Sequence, residues 1–202
     1  DFIVNAIGYN FRMTEITAAI GWVQTAKLKE ANEIRNKNYT YLRRCLADIA
    51  DSYLRPQHLT HPETYYAYTA AFRWIDEDGG LLRDAVALAL RAEGIPVATG
   101  IGRLMSYHPL FLRKMAYGYE GFPFHGSHYR GNVNYEPKRL PQAHLVHDCQ
   151  YLGFFQMGWP NKEEDMDDIA KAFQKIIHYR DELAAYTRKN VSGPLKFDRG
   201  RG

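Results

Sequence analysis

From Thr14 to about Ala50 the apolar residues recur at helical spacing: Ile16, Ala19, Ile20 and Val23, then Leu28, Ala31 and Ile34, then Leu42, Cys45, Leu46 and Ile49. The other face carries Lys27, Lys29, Glu30, Glu33, Arg35, Lys37, Arg43 and Arg44. This is an amphipathic helix with one apolar stripe. At about 1.5 Å per residue it would span about 50 Å, more than a small domain needs. Such a helix either bends or bridges two bodies.

The residues in front of it read Gly8-Tyr9-Asn10-Phe11-Arg12-Met13-Thr14-Glu15. The Thr14 hydroxyl can cap the helix start, and Glu15 suits the positive end of the helix dipole. Asn10 and Arg12 then stand where an anionic group can be held. The alternative is a packed turn with one buried amide.

The chain has 202 residues, 46% of them hydrophobic, enough for one sizeable core or for one domain with an appendage. A net charge of +3 with mixed signs gives no electrostatic case for nucleic acid. Cys45 and Cys149 are isolated thiols, which points to a reducing compartment. No apolar run is long enough to span a membrane and no signal peptide is visible, so the expectation is a cytoplasmic protein. The first residue is Asp1, so the chain reads as a processed product or a fragment.

The remaining elements follow an α+β order. Tyr65 to Ile75 reads as a strand, and Asp76 to Gly80 is turn chemistry. Leu81 to Glu93 is a short helix with Gly94 at its C′ position, and Pro96 to Gly100 a second strand. Strand, helix and strand suggest a small β–α–β unit. Gly100 to Leu140 is rich in Gly, Pro, Tyr, His and Phe and lacks a period. Its aromatic content argues against disorder, so it is expected to be an ordered loop that contacts something. Pro141 to Gln150 is a short helix and Tyr151 to Trp159 a strand. Asn161 is expected to cap a last helix reaching about Tyr186, with Ile169, Phe173, Ile176 and Ile177 on its apolar face. Three units result: the motif and long helix at 1–50, a small α+β domain at 51–187, and a frayed tail at 188–202.

Several clusters bear on chemistry. His144 and His147 lie three apart with Asp148 beside them, a spacing that suits either a metal or packing at a surface or dimer contact; packing is the expectation, with no metal. Tyr107 and His108 sit in the aromatic loop before Pro109, where an imidazole can bond a polar ligand or cap backbone groups. His125 and His128 flank Gly126 and read as solvated or partner-facing. The Glu163 to Asp168 run is a charged helix start. No Gly-rich phosphate loop and no nucleophile elbow is present.

The Gly8 to Glu15 motif, followed by Ala18-Ala19-Ile20-Gly21, Gln24, Leu28 and Arg35, resembles a hallmark of the DegT/StrS-type nucleotide-sugar aminotransferases. Pro109-Leu110-Phe111, Pro141-x-Ala143 and Tyr151-Leu152-Gly153-Phe154 resemble later elements of that family, in family order. His144 departs from the pattern, since a Glu is usual after Pro-x-Ala. So does the long Lys114 to Pro137 insertion.

The resemblance implies the α/β fold of type I aminotransferases, which use pyridoxal phosphate, and implies that this chain matches the C-terminal part: the connecting helix and the small domain. The Schiff-base lysine would lie upstream, so the chain holds no catalytic lysine and would be inactive alone. The resemblance assigns Asn10 and Arg12 to the cofactor phosphate, Asn10 reaching across a homodimer with shared active sites. It assigns Tyr107 and His108 to the nucleotide sugar, with an amino acid, glutamate, as amine donor, in the biosynthesis of polysaccharide, lipopolysaccharide or secondary-metabolite sugars. A dehydratase of the same family, and a non-catalytic dimerisation or interaction remnant, remain alternatives.

Overall fold

The computed structural model describes residues 11–50, 52–56, 69–76, 80–100, 102, 104–114, 117, 121–127, 129–136 and 139–190. The long helix is present as α1, Glu15–Cys45. Thr14 caps it, its hydroxyl accepting the Thr17 N–H at 3.3 Å. Glu15 lies in the first turn and Arg43 and Arg44 in the last, matching the helix dipole at both ends.

One sequence stripe meets two environments along α1. In its last third Asn38, Tyr39 and Leu42 are buried. In its first half Ile16 is 76% exposed and Leu28 52%. The described residues therefore cover only the C-terminal part of the stripe. The helix also ends sooner than its period indicates. At Leu46 the backbone turns to φ −97°, ψ 4°. Leu46 drops into the core, and a four-residue helix α2, Ala47–Ala50, carries Ile49 against it. Core packing, rather than any breaker residue, ends α1.

The sheet holds three antiparallel strands in the order β1-β2-β3: β1 Leu54–Pro56, β2 Ala70–Trp74 and β3 Tyr151–Phe154. The earlier part of the Tyr65–Ile75 strand lies outside the described residues. In β2, Ala70, Phe72 and Trp74 are buried and the residues between them half-buried, the period-two pattern of a strand with one face on the core. All four residues of β3 are buried.

Helix α3, Arg83–Ala92, follows β2, and Gly94 ends it at φ +84°. The strand expected at Pro96–Gly100 shrinks to one bridge. Ala98 pairs antiparallel with Gly153 through two hydrogen bonds of 2.8 Å. Pro96 has no N–H to extend the ladder, and Gly100 turns away at φ +141°. Because Ala71 and Ala98 both face Gly153 antiparallel, the Ala98 segment runs parallel to β2 with β3 between them. The expected β–α–β unit is thus of the split kind.

After β3, α6 spans Glu163–His178. Asn161 is not its cap. Lys162 takes the N-cap position, and the Asp165 carboxylate accepts the Lys162 N–H at 2.7 Å. The Asn161 amide donates instead to Gly158 C=O at 3.0 Å. The helix breaks at Tyr179, and α7, Arg180–Asn190, follows. The Arg180 guanidinium pairs with the Asp76 carboxylate at 2.6 Å, which re-aims the chain there. Residues 188–190, expected in a frayed tail, complete α7; 191–202 lie outside the described residues.

Rings from four elements meet through the core. Tyr39 of α1 lies 6.0 Å from Phe72 of β2, Phe72 lies 5.9 Å from Phe154 of β3, and Phe154 lies 5.9 Å from Phe173 of α6. Such tilted and edge contacts add to the area burial of each ring. The Asn38 side chain closes the same junction. Its amide donates to Met157 C=O at 2.9 Å and to Asn161 C=O at 3.0 Å.

Phe154→Ala removes the middle of this ring chain and should cost about 3–5 kcal/mol of unfolding free energy. Urea denaturation checks it, and a loss below about 1 kcal/mol would show that the four rings do not act as the core.

Candidate active site

The C-terminal half of the expected Pro141–Gln150 helix is not α-helical. Helix α5, Pro141–His144, starts at a proline whose missing N–H costs nothing in a first turn. Leu145–Gln150 then widens to a π-helical turn. The carbonyls at its end are collected by Arg83, the first residue of α3, which is only 5% exposed. Its guanidinium donates to Tyr151 C=O at 2.8 Å, to His147 C=O at 3.4 Å and to Asp148 C=O, while its Nε meets the Asp84 carboxylate at 2.5 Å. One buried cation thus replaces the partners that a helix end lacks.

Held this way, His144, His147 and Asp148 converge on a short 3-10 turn, Met105–Tyr107. The Tyr107 hydroxyl donates to Asp148 Oδ2 at 2.9 Å. His144 Nδ1 lies 2.7 Å from the Tyr107 oxygen and 3.3 Å from Asp148 Oδ2. His144 Nε2 lies 2.9 Å from Ser106 Oγ. His147 Nδ1 is 2.7 Å from Asp148 Oδ1, and its Nε2 is 3.0 Å from Gly102 C=O. Ser106 and His147 are buried, at 3% and 7% exposure.

The proton order follows from the donor inventory. Burial opposes ionisation of Asp148, but the hydrogen bonds from His147, Tyr107 and His144 together outweigh it and hold its carboxyl below the usual range. An ionised Asp148 only accepts. Tyr107 therefore gives it a proton bond and accepts one from His144 Nδ1–H. With Nδ1 as donor, a neutral His144 accepts at Nε2, so the Ser106 O–H points at the ring. The Ser106 oxygen keeps its lone pairs for whatever lies on its other side. His147 presents Nδ1 to the Asp148 carboxylate and Nε2 to the Gly102 carbonyl.

Ser106 also lines a cleft of about 340 Å³. Met105, Phe111, Tyr135 and Leu140 form its walls, with Ser106 in the lining. Asn134, Glu136 and Arg139 complete it. Phe111 and Tyr135 stand 5.1 Å apart, both also packed against Phe124. Among the described residues of the aromatic segment these three rings pack on one another. A larger depression of about 560 Å³ between the end of α3 and α6 is open and crossed by the Lys175–Glu93 ion pair at 2.7 Å. It lies away from the polar cluster.

The expected site residues fall in different places. Tyr107 belongs to the cluster, but its hydroxyl faces Asp148 and His144. His108 links the 3-10 turn to helix α4, Pro109–Leu112: its N–H donates to Met105 C=O and its C=O accepts from Phe111 and Leu112, all at 3.0 Å. Arg12 lies exposed two residues ahead of the α1 cap. Asn10 and His128 lie outside the described residues. His144, His147 and Asp148 do meet one another, His147 buried and the other two half-buried. Among the described residues no group of three His, Cys, Asp or Glu side chains is placed to hold a metal ion; both imidazoles are turned to hydrogen bonds. Ser106 and Arg83 carry the site without any sequence expectation. A hydroxyl beside an aromatic-His-Pro run was the one available hint for Ser106.

The comparisons with known proteins give a consistent result. The sequence model of the DegT/DnrJ/EryC1/StrS aminotransferase family matches residues 1–136. The chain is 30% identical over 188 residues to the L-glutamine:2-deoxy-scyllo-inosose aminotransferase of Streptoalloteichus tenebrarius, covering 89% of this chain and 41% of that protein. It is 34% identical over 192 residues to the protein of the same name from Streptomyces paromomycinus, covering 86% of this chain and 39% of that protein. The chain thus spans about two-fifths of the length of the curated relatives it matches.

The acid behaviour of the cluster is testable. Asp148 titrates lower in the folded chain than in the unfolded one, so its ionised form stabilises the fold above the unfolded carboxylate pKa of about 3.9. That contribution disappears as pH falls through the lower folded value. The stability gap between the native chain and Asp148→Asn should be level above about pH 5 and shrink below about pH 4. A gap independent of pH in denaturation series would show that Asp148 is not held ionised.

Proposed function

The chain belongs to the DegT/DnrJ/EryC1/StrS aminotransferase family, and from that membership we propose that it forms the connecting helix and small domain of a transaminase acting on a polyhydroxylated ring ketone. The family is generally pyridoxal-phosphate dependent and homodimeric. The observation that carries the reading to the site is the Ser106–His144–Tyr107–Asp148 chain ending at an aromatic-walled cleft. The amine donor is an amino acid, glutamate or the glutamine named for the relatives. The acceptor is a ring ketone of the inosose kind named for them, or, as a second reading favoured by the Gly8 to Glu15 motif, a keto sugar on a nucleotide carrier.

Pyridoxal phosphate, when bound, supplies the electron sink for proton transfer at the amine-bearing carbon. The residues at the head of α1 suit its phosphate. Arg12 is an exposed guanidinium beside the N-terminus of a 31-residue helix, and a planar fork and a helix start both favour a phosphate. Asn10, two residues earlier, would donate its amide to the same group. Residues 1–50 would carry this half-site and 51–190 the acceptor side, assembled in a homodimer with shared sites. Tyr107 would act through His144 rather than touch the acceptor, and His108 would set the turn that places it.

In the complete gene product, Arg12→Ala should weaken pyridoxal phosphate retention by about tenfold or more, the worth of one charge-assisted hydrogen bond. Cofactor titration followed by absorbance measures it, and unchanged affinity would remove the phosphate role. Absence of both cofactor binding and amino transfer from glutamine or glutamate in that product would overturn the aminotransferase reading.

A further inference from the structure

Ser106, His144 and Asp148 stand in the order that turns a serine oxygen into a nucleophile. Ser106 Oγ lies 2.9 Å from His144 Nε2, within the reach of about 2.6–3.2 Å that a nucleophile and its base need. On the far side of the ring, His144 Nδ1 lies 2.7 Å from the Tyr107 hydroxyl and 3.3 Å from Asp148 Oδ2. The Tyr107 ring stands edge-on to the imidazole with centroids 4.6 Å apart, which fixes the plane of the base. Asp148 is held ionised, so an imidazolium formed at 144 has a carboxylate beside it.

A structural serine needs less than this. One buried hydroxyl is satisfied by any carbonyl within reach. Ser106, 3% exposed, instead meets a base whose other nitrogen is held by a phenol and a carboxylate. Such a set is recognised by geometry and roles, not by position in the sequence, so the lack of an elbow motif does not bear on it. Ser106 also lines the cleft of about 340 Å³, with Met105, Phe111, Tyr135 and Leu140 around it. Ligand pockets run from about 300 to 1,000 Å³, so this one suits a small apolar group such as a short or aromatic acyl chain.

We propose that Ser106 Oγ is the nucleophile of an acyl-transfer site, with His144 as its general base, acting on esters whose small apolar acyl group seats in this cleft. Oγ attacks the ester carbonyl carbon, and its proton passes to His144 Nε2. The bond from that carbon to the leaving alcohol breaks, and the leaving oxygen takes the proton from Nε2. Water then attacks the acyl-serine carbonyl, gives a proton through His144 back to Oγ, and releases the carboxylic acid. Nothing is oxidised or reduced. Ser106 and His144 are the catalytic residues; Tyr107 and Asp148 are positioning residues that hold the ring with Nε2 toward Ser106. This activity goes beyond the aminotransferase reading and does not rest on it.

The test uses the complete gene product, with p-nitrophenyl butyrate and phenylmethylsulfonyl fluoride as probes. Nitrophenol release, followed by absorbance, should exceed that of buffer. The sulfonyl fluoride should stop it and leave its added mass on the peptide that carries Ser106. Ser106→Ala and His144→Gln should each lower the rate by about a hundredfold or more, the usual worth of a general base and its partner. Ser106→Cys keeps a nucleophile of nearly the same size and should still take an acyl group from the ester, which separates a lost nucleophile from a damaged fold; a melting curve on each variant checks the same point. Asp148→Asn should lower the rate and move the acid limb of the pH–rate profile to lower pH, because the imidazolium loses its carboxylate. A merely structural role would leave that limb in place. Hydrolysis no faster than in buffer, a label on some other residue, or a rate unchanged in Ser106→Ala would each overturn the proposal. Amino transfer without any labelling of Ser106 would overturn it while keeping the aminotransferase reading. Ester hydrolysis through Ser106 in a product that neither binds the cofactor nor transfers an amino group would do the reverse.

Discussion

The amide of Asn38 fixes where the long helix sits, and most of the architecture follows from that. Its side chain is 3% exposed and donates to two carbonyls, Met157 and Asn161, in the turn between β3 and α6. The Met157 carbonyl is buried, and without a donor it would carry a desolvation cost of about 1–3 kcal/mol. An apolar residue at 38 would leave both unpaired, so the register of α1 against the turn is set by chemistry as well as shape. Tyr41, one turn on, repeats the arrangement with its hydroxyl on Asp167 at 2.9 Å, a bond that pushes the phenol up to about 12. Between these two anchors α1 cannot slide by a residue without losing both sets of bonds. Its first half, with Ile16, Ile20 and Leu28 exposed, is then carried well clear of the sheet. Helix α1 runs unbroken for 31 residues before the turn at Leu46.

Elements with a long period were legible in the sequence because one face of each meets the core. Helices α1, α3 and α6 lie where their stripes indicate, and Thr14 and Gly94 serve as the expected punctuation. The misplacements share a cause: tertiary partners outbid local preference. Leu46 has no breaker near it, yet its burial bends the chain. Asn161 is a better cap by residue type than Lys162, but its amide is taken by Gly158. Tyr179 stands inside an unbroken helical pattern, and the turn there comes from Arg180 reaching Asp76 across the fold. No window of sequence contains those pairings.

The site shows the same division more sharply. Tyr107 and the His144, His147 and Asp148 group were visible as residues of interest, because such side chains rarely gather without purpose. Their connection was hidden, since residues some 40 apart in sequence meet only through the π-helical turn. That turn in turn depends on Arg83, which is contributed by a helix from the other end of the split unit. Widening the helix by one residue moves Asp148 between two imidazoles.

His144 also explains why a departure from the family pattern can be tolerated and even exploited. A glutamate at 144 would place a second carboxylate on Tyr107 beside Asp148. Like charges at that range raise one of the two pKa values and return a proton to the pair. The Tyr107 hydroxyl would then lose its single defined direction, and Ser106 would face an acceptor with no ring geometry to aim it. Imidazole removes the repulsion and adds a through-ring link: a bond fixed at Nδ1 determines what Nε2 must do. The negative charge of Asp148 is therefore read out about two side chains away, at the oxygen of Ser106. A histidine that looks like a substitution in one helix acts as the element that gives the cleft a polar direction.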